Sequence, residues 1–235
     1  MNSPLPKVLH RVGGRTMVDR VAGVLERAGV PDLVVVVGFG REAVAADLER
    51  HHAGARLAIQ EEQLGTGHAA RAAMPRVPEG AESVGVFSGD TPLLTPETVW
   101  ALTAEHRERE AAATLLTAEL EDPTGYGRIV RDGQGLVERI VEEKDADGEV
   151  LAIREINAGA YLFQRTDLEE ALEALRSDNA QGEYYLTDAV SYFRERGRPV
   201  AALKAAGDAS EVLGVNTQEQ LLRAEQLLKE REERV

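Results

Sequence analysis

An α/β fold with a mainly parallel sheet is what this sequence predicts, on three observations. Short β-branched runs alternate with stretches of helical periodicity from near the first residue to Arg109. Several helical stretches open on residues that cap helices, among them Thr95-Pro96 and Thr217. At 235 residues and 43% hydrophobic, the chain holds enough apolar matter for a sizeable core.

Met17, Val18, Val21, Leu25 and Ala28 repeat at helical spacing, and Gly29 closes that helix. Leu33 to Val37 is a continuous apolar run between Pro31-Asp32 and Gly38, the mark of a buried parallel strand. Residues 41–50 form a helix, 55–60 a short strand, 66–74 a helix, and 83–88 another buried strand. Thr95 is an N-cap with proline at the first helical position, so a helix runs from there toward Arg109. Beyond Ala113 the pattern loosens into strands at 114–120, 126–131, 136–142 and 155–163, joined by Gly- and Asp-containing turns. Thr166-Asp-Leu-Glu169 and Thr217-Gln-Glu-Gln220 both match the capping box. The last helix carries Leu221, Leu222, Ala224 and Leu228, then runs into a charged tail ending near Arg234. The tail reads as a solvated helix end or as a linker toward a further domain. The expected division is a catalytic domain over 1–216 and a C-terminal helix over 217–235.

Composition excludes several functions. With 27 Lys and Arg against 41 Asp and Glu, the net charge is −14, the wrong sign for a general nucleic-acid binder. No apolar run approaches the roughly 20 residues that span a bilayer. Residues 1–7 hold no apolar signal-peptide core, and zero cysteines fit a reducing, cytoplasmic setting. The five histidines show no metal-ligand spacing.

In open parallel sheets ligands gather beyond the carboxyl ends of the strands, so the loops there carry the chemistry. Gln60-Glu-Glu-Gln-Leu-Gly65-Thr66-Gly-His68 offers glycines and a helix N-terminus, either an anion site or an ordinary turn. In Ser88-Gly89-Asp90-Thr-Pro-Leu93 a carboxylate follows a strand directly, where it can hold Mg²⁺ or cap a turn. Asp122-Pro-Thr-Gly-Tyr-Gly127-Arg128 can pack against a flat ligand or simply connect strands. Asn157-Ala-Gly159 is out of place in an apolar strand. Gln181-Gly-Glu183-Tyr-Tyr185 sets a carboxylate and two aromatics before a helix, parts that suit a sugar or a hydrophobic staple. Gly38-Phe-Gly40-Arg-Glu-Ala43 with Glu61 matches a dinucleotide fingerprint, weakly.

Taken together, these segments resemble a family. Leu5-Pro-Lys7, Gln63–His68, Gly89–Leu93, Asp122–Arg128, Glu142-Glu-Lys-Asp145, Glu155–Gly159, Gln181–Tyr185 and Gly214-Val-Asn216 occur in the order seen in bacterial N-acetylglucosamine-1-phosphate uridyltransferases. The match spans the chain as that family's N-terminal pyrophosphorylase domain and overrides the dinucleotide reading. The resemblance implies a three-layer α/β/α nucleotide-diphospho-sugar transferase fold, Rossmann-like, with a mixed and mainly parallel sheet. It implies that UTP and N-acetylglucosamine 1-phosphate give UDP-N-acetylglucosamine and pyrophosphate, with Mg²⁺ as cofactor. Lys7 is then the phosphate-contacting lysine, and Gln60, Gly65 and Thr66 the uracil site. Asp90 and Asn216 are the metal ligands, with Ser88 and Gly89 beside them. Gly127, Glu142, Asn157, Glu183 and Tyr185 hold the sugar and its neighbours. A non-catalytic nucleotide-sugar binding module and a pyrophosphorylase for another sugar phosphate are the alternatives.

One departure stands at the front. The family pattern places a strand and a glycine-rich loop, L-A-A-G-x-G-T-R-M, directly before N-S-P-L-P-K, and here Met1 falls on that motif's last position. The sequence as given therefore lacks an interior strand, the phosphate-cradling loop and its arginine; a start assigned at an internal methionine is the preferred explanation. Two strands are expected to lose a backbone partner, and the chain as written is expected to be a poor catalyst.

Overall fold

The computed structural model describes residues 5–205 and 209–233. The start of the Met1-Asn-Ser-Pro segment and the Arg234 end of the tail lie outside them. Strands β1 (Arg11–Val12) and β2 (Arg15–Thr16) form a small antiparallel hairpin ahead of α1 (Met17–Arg27). There follow β3 (Val34–Val37), α2 (Arg41–His51), β4 (Arg56–Ile59), α3 (Thr66–Ala73), β5 (Ser83–Phe87) and α4 (Pro96–Glu108). The second half contributes β6 (Ala113–Glu119), β7 (Arg128–Arg131), β8 (Val137–Val141), α5 (Gly148–Leu151), β9 (Glu155–Gln164), α6 (Arg165–Ala174), α7 (Asp188–Glu195), β10 (Val200–Lys204) and α8 (Gln218–Glu232). These bounds fall within a residue or two of most of the expected ones.

Threonine caps open three of the helices, two of them expected and the one at Thr16 not. Thr16 Oγ1 accepts the Asp19 N–H at the start of α1, and Thr95 Oγ1 accepts the Thr98 N–H ahead of Pro96. Thr217 and Gln220 form the complete capping box of α8. At Thr166 the expectation fails. Helix α6 begins two residues earlier than that cap implies, at Arg165, with Gln164 as an N-cap that makes no side-chain bond, and Glu169 accepts from Arg165 instead. The Arg165 N–H donates to Glu82, across the end of β5, which fixes the helix start by a tertiary contact.

The main sheet has the order β10-β6-β9-β7-β8, with β5 pairing β9 on the edge it shares with β7. Strands β5, β6 and β7 run antiparallel to β9, and β10 is parallel to β6, so four of the six strands share one direction. Strand β10 was not expected from the sequence. A buried core of Leu115, Tyr161, Phe163, Leu168, Leu172, Leu186 and Phe193 seals one face of the sheet under α6 and α7, and a second cluster around Leu102, Leu116, Ile156 and Leu162 lies under α4.

Strands β3 and β4 pair in parallel but form a separate two-stranded unit. Among the described residues β3 pairs only β4 and β5 pairs only β9, and both strands line the same cleft of about 1270 Å³. This corrects the expectation that 33–37 and 83–88 are buried: only Val37 of β3 is buried, and no residue of β5 is. Each of the two strands has one edge without a strand partner among the described residues, which leaves their side chains and backbone half exposed along the cleft.

The front of the molecule is braced by a buried polar cluster between α1 and α2. Arg15 grips Asp19 with two hydrogen bonds of 2.7 Å, while His52 reaches Asp19 at 2.9 Å and Glu26 at 2.8 Å. The Arg15 guanidinium holds the Asp19 carboxyl down at about 2, with a smaller downward contribution from His52 and with burial opposing both. A carboxyl depressed below its ordinary value near 3.8 stabilises the fold above about pH 4 and loses that contribution as pH falls toward 2. Asp19→Asn should therefore cost about 1–2 kcal/mol at pH 7. Urea unfolding of both proteins should show a clearly smaller deficit at pH 2.5 than at pH 7; equal deficits would contradict the assignment.

A second measurement addresses the cleft. Trp100, the single tryptophan, lines it. A chain given an apolar strand-forming segment and a glycine-containing turn ahead of residue 1 should unfold at a higher temperature and show altered Trp100 emission. An unshifted midpoint would mean that the cleft takes no strand.

Candidate active site

The site is assembled where β9 breaks. Between Leu115 and Thr117 of β6 the register with β9 slips, because Ala158, Gly159 and Ala160 bulge out of the ladder. Gly159 sits at φ +68°, and a Cβ there would come within 2.6 Å of Ser88 Oγ, so only glycine fits. Ser88 uses the bulge: its N–H and its hydroxyl both donate to the Gly159 carbonyl at 3.2 Å. The out-of-place Asn157-Ala-Gly159 is thus the device that ends β5 and turns Gly89 and Asp90 into the cleft.

Two distant segments meet Asp90 there. The Val215 N–H donates to the Asp90 carbonyl at 2.9 Å, and the Gly214 N–H donates to the Tyr126 hydroxyl at 3.2 Å. Lys7, whose backbone is fixed by buried Leu9 in the cluster with Val18, Val37, Val44 and Leu48, reaches in from the front. Its Nζ lies 2.5 Å from Asp90 Oδ2 and 2.7 Å from Asn216 Oδ1. The far end of α8 braces the same region: Arg231 donates to the Leu93 carbonyl at 2.7 Å and to Ser210 Oγ at 2.8 Å.

This triad also tests whether a metal suits the site. A carboxylate oxygen and an amide oxygen already converge on one cation, the Lys7 ammonium, which stands in for it. Among the described residues no group of three His, Cys, Asp or Glu gathers to hold a metal. A pair of oxygen donors open to a cleft fits a hard cation that keeps waters and takes the rest of its ligands from substrate.

Gln60 lies at the carboxyl end of β4. Its Nε2 donates to the Gly65 carbonyl at 3.1 Å and sits 3.0 Å from His68 Nδ1. His68, which carries no metal-ligand spacing, therefore serves as the residue that orients Gln60. Thr66 Oγ1 accepts the Leu186 N–H at 3.0 Å, and the Tyr184 N–H donates to the Leu64 carbonyl at 2.8 Å, so the 63–68 loop is stitched to the 183–186 segment.

On the opposite wall Glu142 faces Gly127. Burial first, then Asp188, Asp145 and Glu183, push its carboxyl above the ordinary range, while the Thr187 hydroxyl donates to it at 3.0 Å. The Asn157 amide is locked by Tyr161, to which its Nδ2 donates at 2.5 Å, and by the Gly159 N–H. Lys7, Gln60, Thr66, Ser88, Gly89, Asp90, Gly127, Glu142, Asn157 and Asn216 all line the cleft. Gly65, Glu183 and Tyr185 do not; they stand behind it. Tyr185 is buried, donates to Asp145 at 3.1 Å and has its phenol pushed up to about 12, chiefly by burial. The Glu183 backbone is held by Asn179, and its Cβ packs where a side chain at Gly65 would go.

The dinucleotide alternative finds no support in the geometry. Glu61 pairs with Arg41, and Pro6 fills the space above Gly40.

The family model described as MobA-like NTP transferase domain matches residues 1–234. The chain is 51% identical over 233 residues to the bifunctional protein GlmU of Heliobacterium modesticaldum, covering 98% of this chain and 50% of that protein. To the protein of the same name from Streptomyces griseus it is 48% identical, over 98% of this chain and 48% of that one. The chain spans about half the length of the curated relatives it matches. Among solved structures, a UDP-glucose pyrophosphorylase complexed with UDP-glucose superposes with a TM-score of 0.72 at 15% identity, over 97% of this chain and 91% of that one. HddC from Yersinia pseudotuberculosis complexed with GMP-PN gives 0.66 at 17%, over 95% and 90%. At such identities these two establish the shared α/β fold and nothing of the role.

Gly65 has φ +100°, and a Cβ on it would lie 2.7 Å from the Tyr184 carbonyl oxygen. Gly65→Ala should destabilise the protein by roughly 2 kcal/mol or more, since both strain and a backbone clash oppose it. Urea unfolding measures the loss; a cost under half that figure would show that the two segments part freely.

Proposed function

The chain belongs to the MobA-like NTP transferase domain family, and on that premise we propose that it is a sugar-1-phosphate uridylyltransferase. Its reaction joins UTP to N-acetylglucosamine 1-phosphate, releasing pyrophosphate and forming UDP-N-acetylglucosamine, a precursor of the cell wall. The observation that carries this reading is the convergence of Lys7, Asp90 and Asn216, 83 and 209 residues from Lys7, at the mouth of one cleft.

Attack of a sugar phosphate on the α-phosphorus of UTP brings several negative charges together, and little covalent chemistry is asked of the protein. Asp90 and Asn216 would hold the cation, and Mg²⁺ suits their oxygen donors. When bound, it supplies charge neutralisation at the reacting phosphates. Lys7 adds a positive charge on a side chain 41% exposed and long enough to follow a phosphate. Gln60, oriented by His68 and Gly65, presents an amide that suits the uracil edge. Glu142, at the far wall beside Gly127, is placed to accept hydrogen bonds from sugar hydroxyls, and the Asn157 amide stands beside it. Glu183 and Tyr185 support these walls from behind.

The same proposal places the protein in the cytoplasm, where UTP is made; no helix among the described residues is long and apolar enough to cross a membrane. It also treats residues 1–216 as the nucleotidyltransferase domain and 217–235 as a C-terminal segment leading toward a further domain. A second reading, a nucleotide-sugar binder without turnover, is favoured by the cleft between β3 and β5.

Pyrophosphate release with UTP, N-acetylglucosamine 1-phosphate and Mg²⁺ separates the two. The proposal expects slow turnover from this chain and faster turnover once the glycine-rich segment precedes it. Asp90→Ala should lower either rate by on the order of a hundredfold or more. Thermal stabilisation by UDP-N-acetylglucosamine with no turnover in either chain would favour the binder, and stabilisation by NAD instead would overturn both.

A further inference from the structure

We propose that the Lys7 ammonium and the divalent cation compete for one seat, so that metal binding releases Lys7 toward the substrate phosphates. This rests on the reading of Asp90 and Asn216 as the metal ligands and adds to it an ordered exchange of cations.

The argument is geometric. The ammonium nitrogen lies 2.5 Å from Asp90 Oδ2 and 2.7 Å from Asn216 Oδ1. Asp90 has a second oxygen, but the Asn216 side chain offers a single one, and Lys7 engages it. A cation bound to the same oxygens at the roughly 2.0–2.1 Å of Mg²⁺ coordination leaves no room for an ammonium group, and the like charges repel. Nothing on the backbone has to move for the exchange. Lys7 opens a short helical turn anchored by buried Leu9, whereas its side chain is 41% exposed.

Two consequences follow by linkage. Without nucleotide, Lys7 weakens the metal site it adjoins. An anion that draws Lys7 away then tightens the metal, and the metal in turn presents Lys7 to the anion, a reciprocal coupling. The lysine occupies the two oxygens until the cation arrives and becomes available for phosphate only when the cation is in place.

The test uses Mn²⁺ alone as probe, with free Mn²⁺ followed by electron paramagnetic resonance in the absence of nucleotide. Lys7→Met should bind Mn²⁺ roughly three- to fivefold more tightly than the unaltered chain, the range expected for releasing a partly exposed ion pair. Asp90→Asn should weaken binding in both backgrounds. Equal or weaker binding by Lys7→Met, with Asp90→Asn still weakening it, would overturn the competition while leaving the metal site standing. Binding indifferent to Asp90→Asn would overturn the site itself. Should Lys7→Met fold poorly, the unaltered chain still decides the matter by mass spectrometry of lysine acylation. Mg²⁺ should speed acylation of Lys7 several-fold and leave Lys229 unchanged; an unchanged or slower Lys7 overturns the proposal.

Discussion

The break in β9 at Asn157–Gly159 is the constraint on which the site depends. A ten-residue strand that pairs β6 along one edge must share its other edge between β5 and β7. The bulge lets it do so, by ending one pairing at Ala160 and starting the next at Ile156. In the space between, Ser88 is bonded to Gly159 and Asn157 to the Gly127 carbonyl. Ligand-facing groups from three strands therefore come to one point, as at the switch points of open α/β sheets, though here a bulge rather than a reversal of strand order makes the opening.

Much of the fold is legible in the sequence because local signals and burial agree. Thr95 and Thr217 each precede a helix and cap it, and the apolar spacing from Met17 to Ala28 gives α1 to within a residue. The misreadings occur where a distant contact decides. Thr166 has the pattern of a capping box, yet the bond from Arg165 to Glu82 starts the helix before it. The Val200–Lys204 strand contains two alanines and little β-branched character, and it forms because β6 offers an edge. The site is a different case. Asp90 follows a strand visibly, and Asn157-Ala-Gly159 is visibly odd, but neither residue indicates its partners. The order of eight short segments brings these residues together on paper, and the geometry adds His68, Tyr126 and Tyr161, whose roles come only from three-dimensional proximity.

Charge sets a further condition. A chain of net −14 with Glu142, Asp145, Glu183 and Asp188 grouped near one wall repels a bare triphosphate. Burial and the neighbouring carboxylates raise the Glu142 and Asp188 carboxyls above their ordinary range. The repulsion must be met by positive charge at the other end of the cleft, where Lys7 approaches Asp90. Such a polarity, acidic at the Glu142 end and cationic at the Lys7 end, gives the cleft a direction along its length.

The contact from Arg231 to Leu93 and Ser210 gives the last helix a second character. α8 covers Val12, Met17, Leu93 and Val215 with Leu221, Ala224 and Leu227, and its final turn also grips the strands of chain that lead to positions 90 and 216. One guanidinium thereby joins the end of this fifteen-residue helix to the chain just after position 90 and just before position 216. The helix is thus a tether as much as a strut.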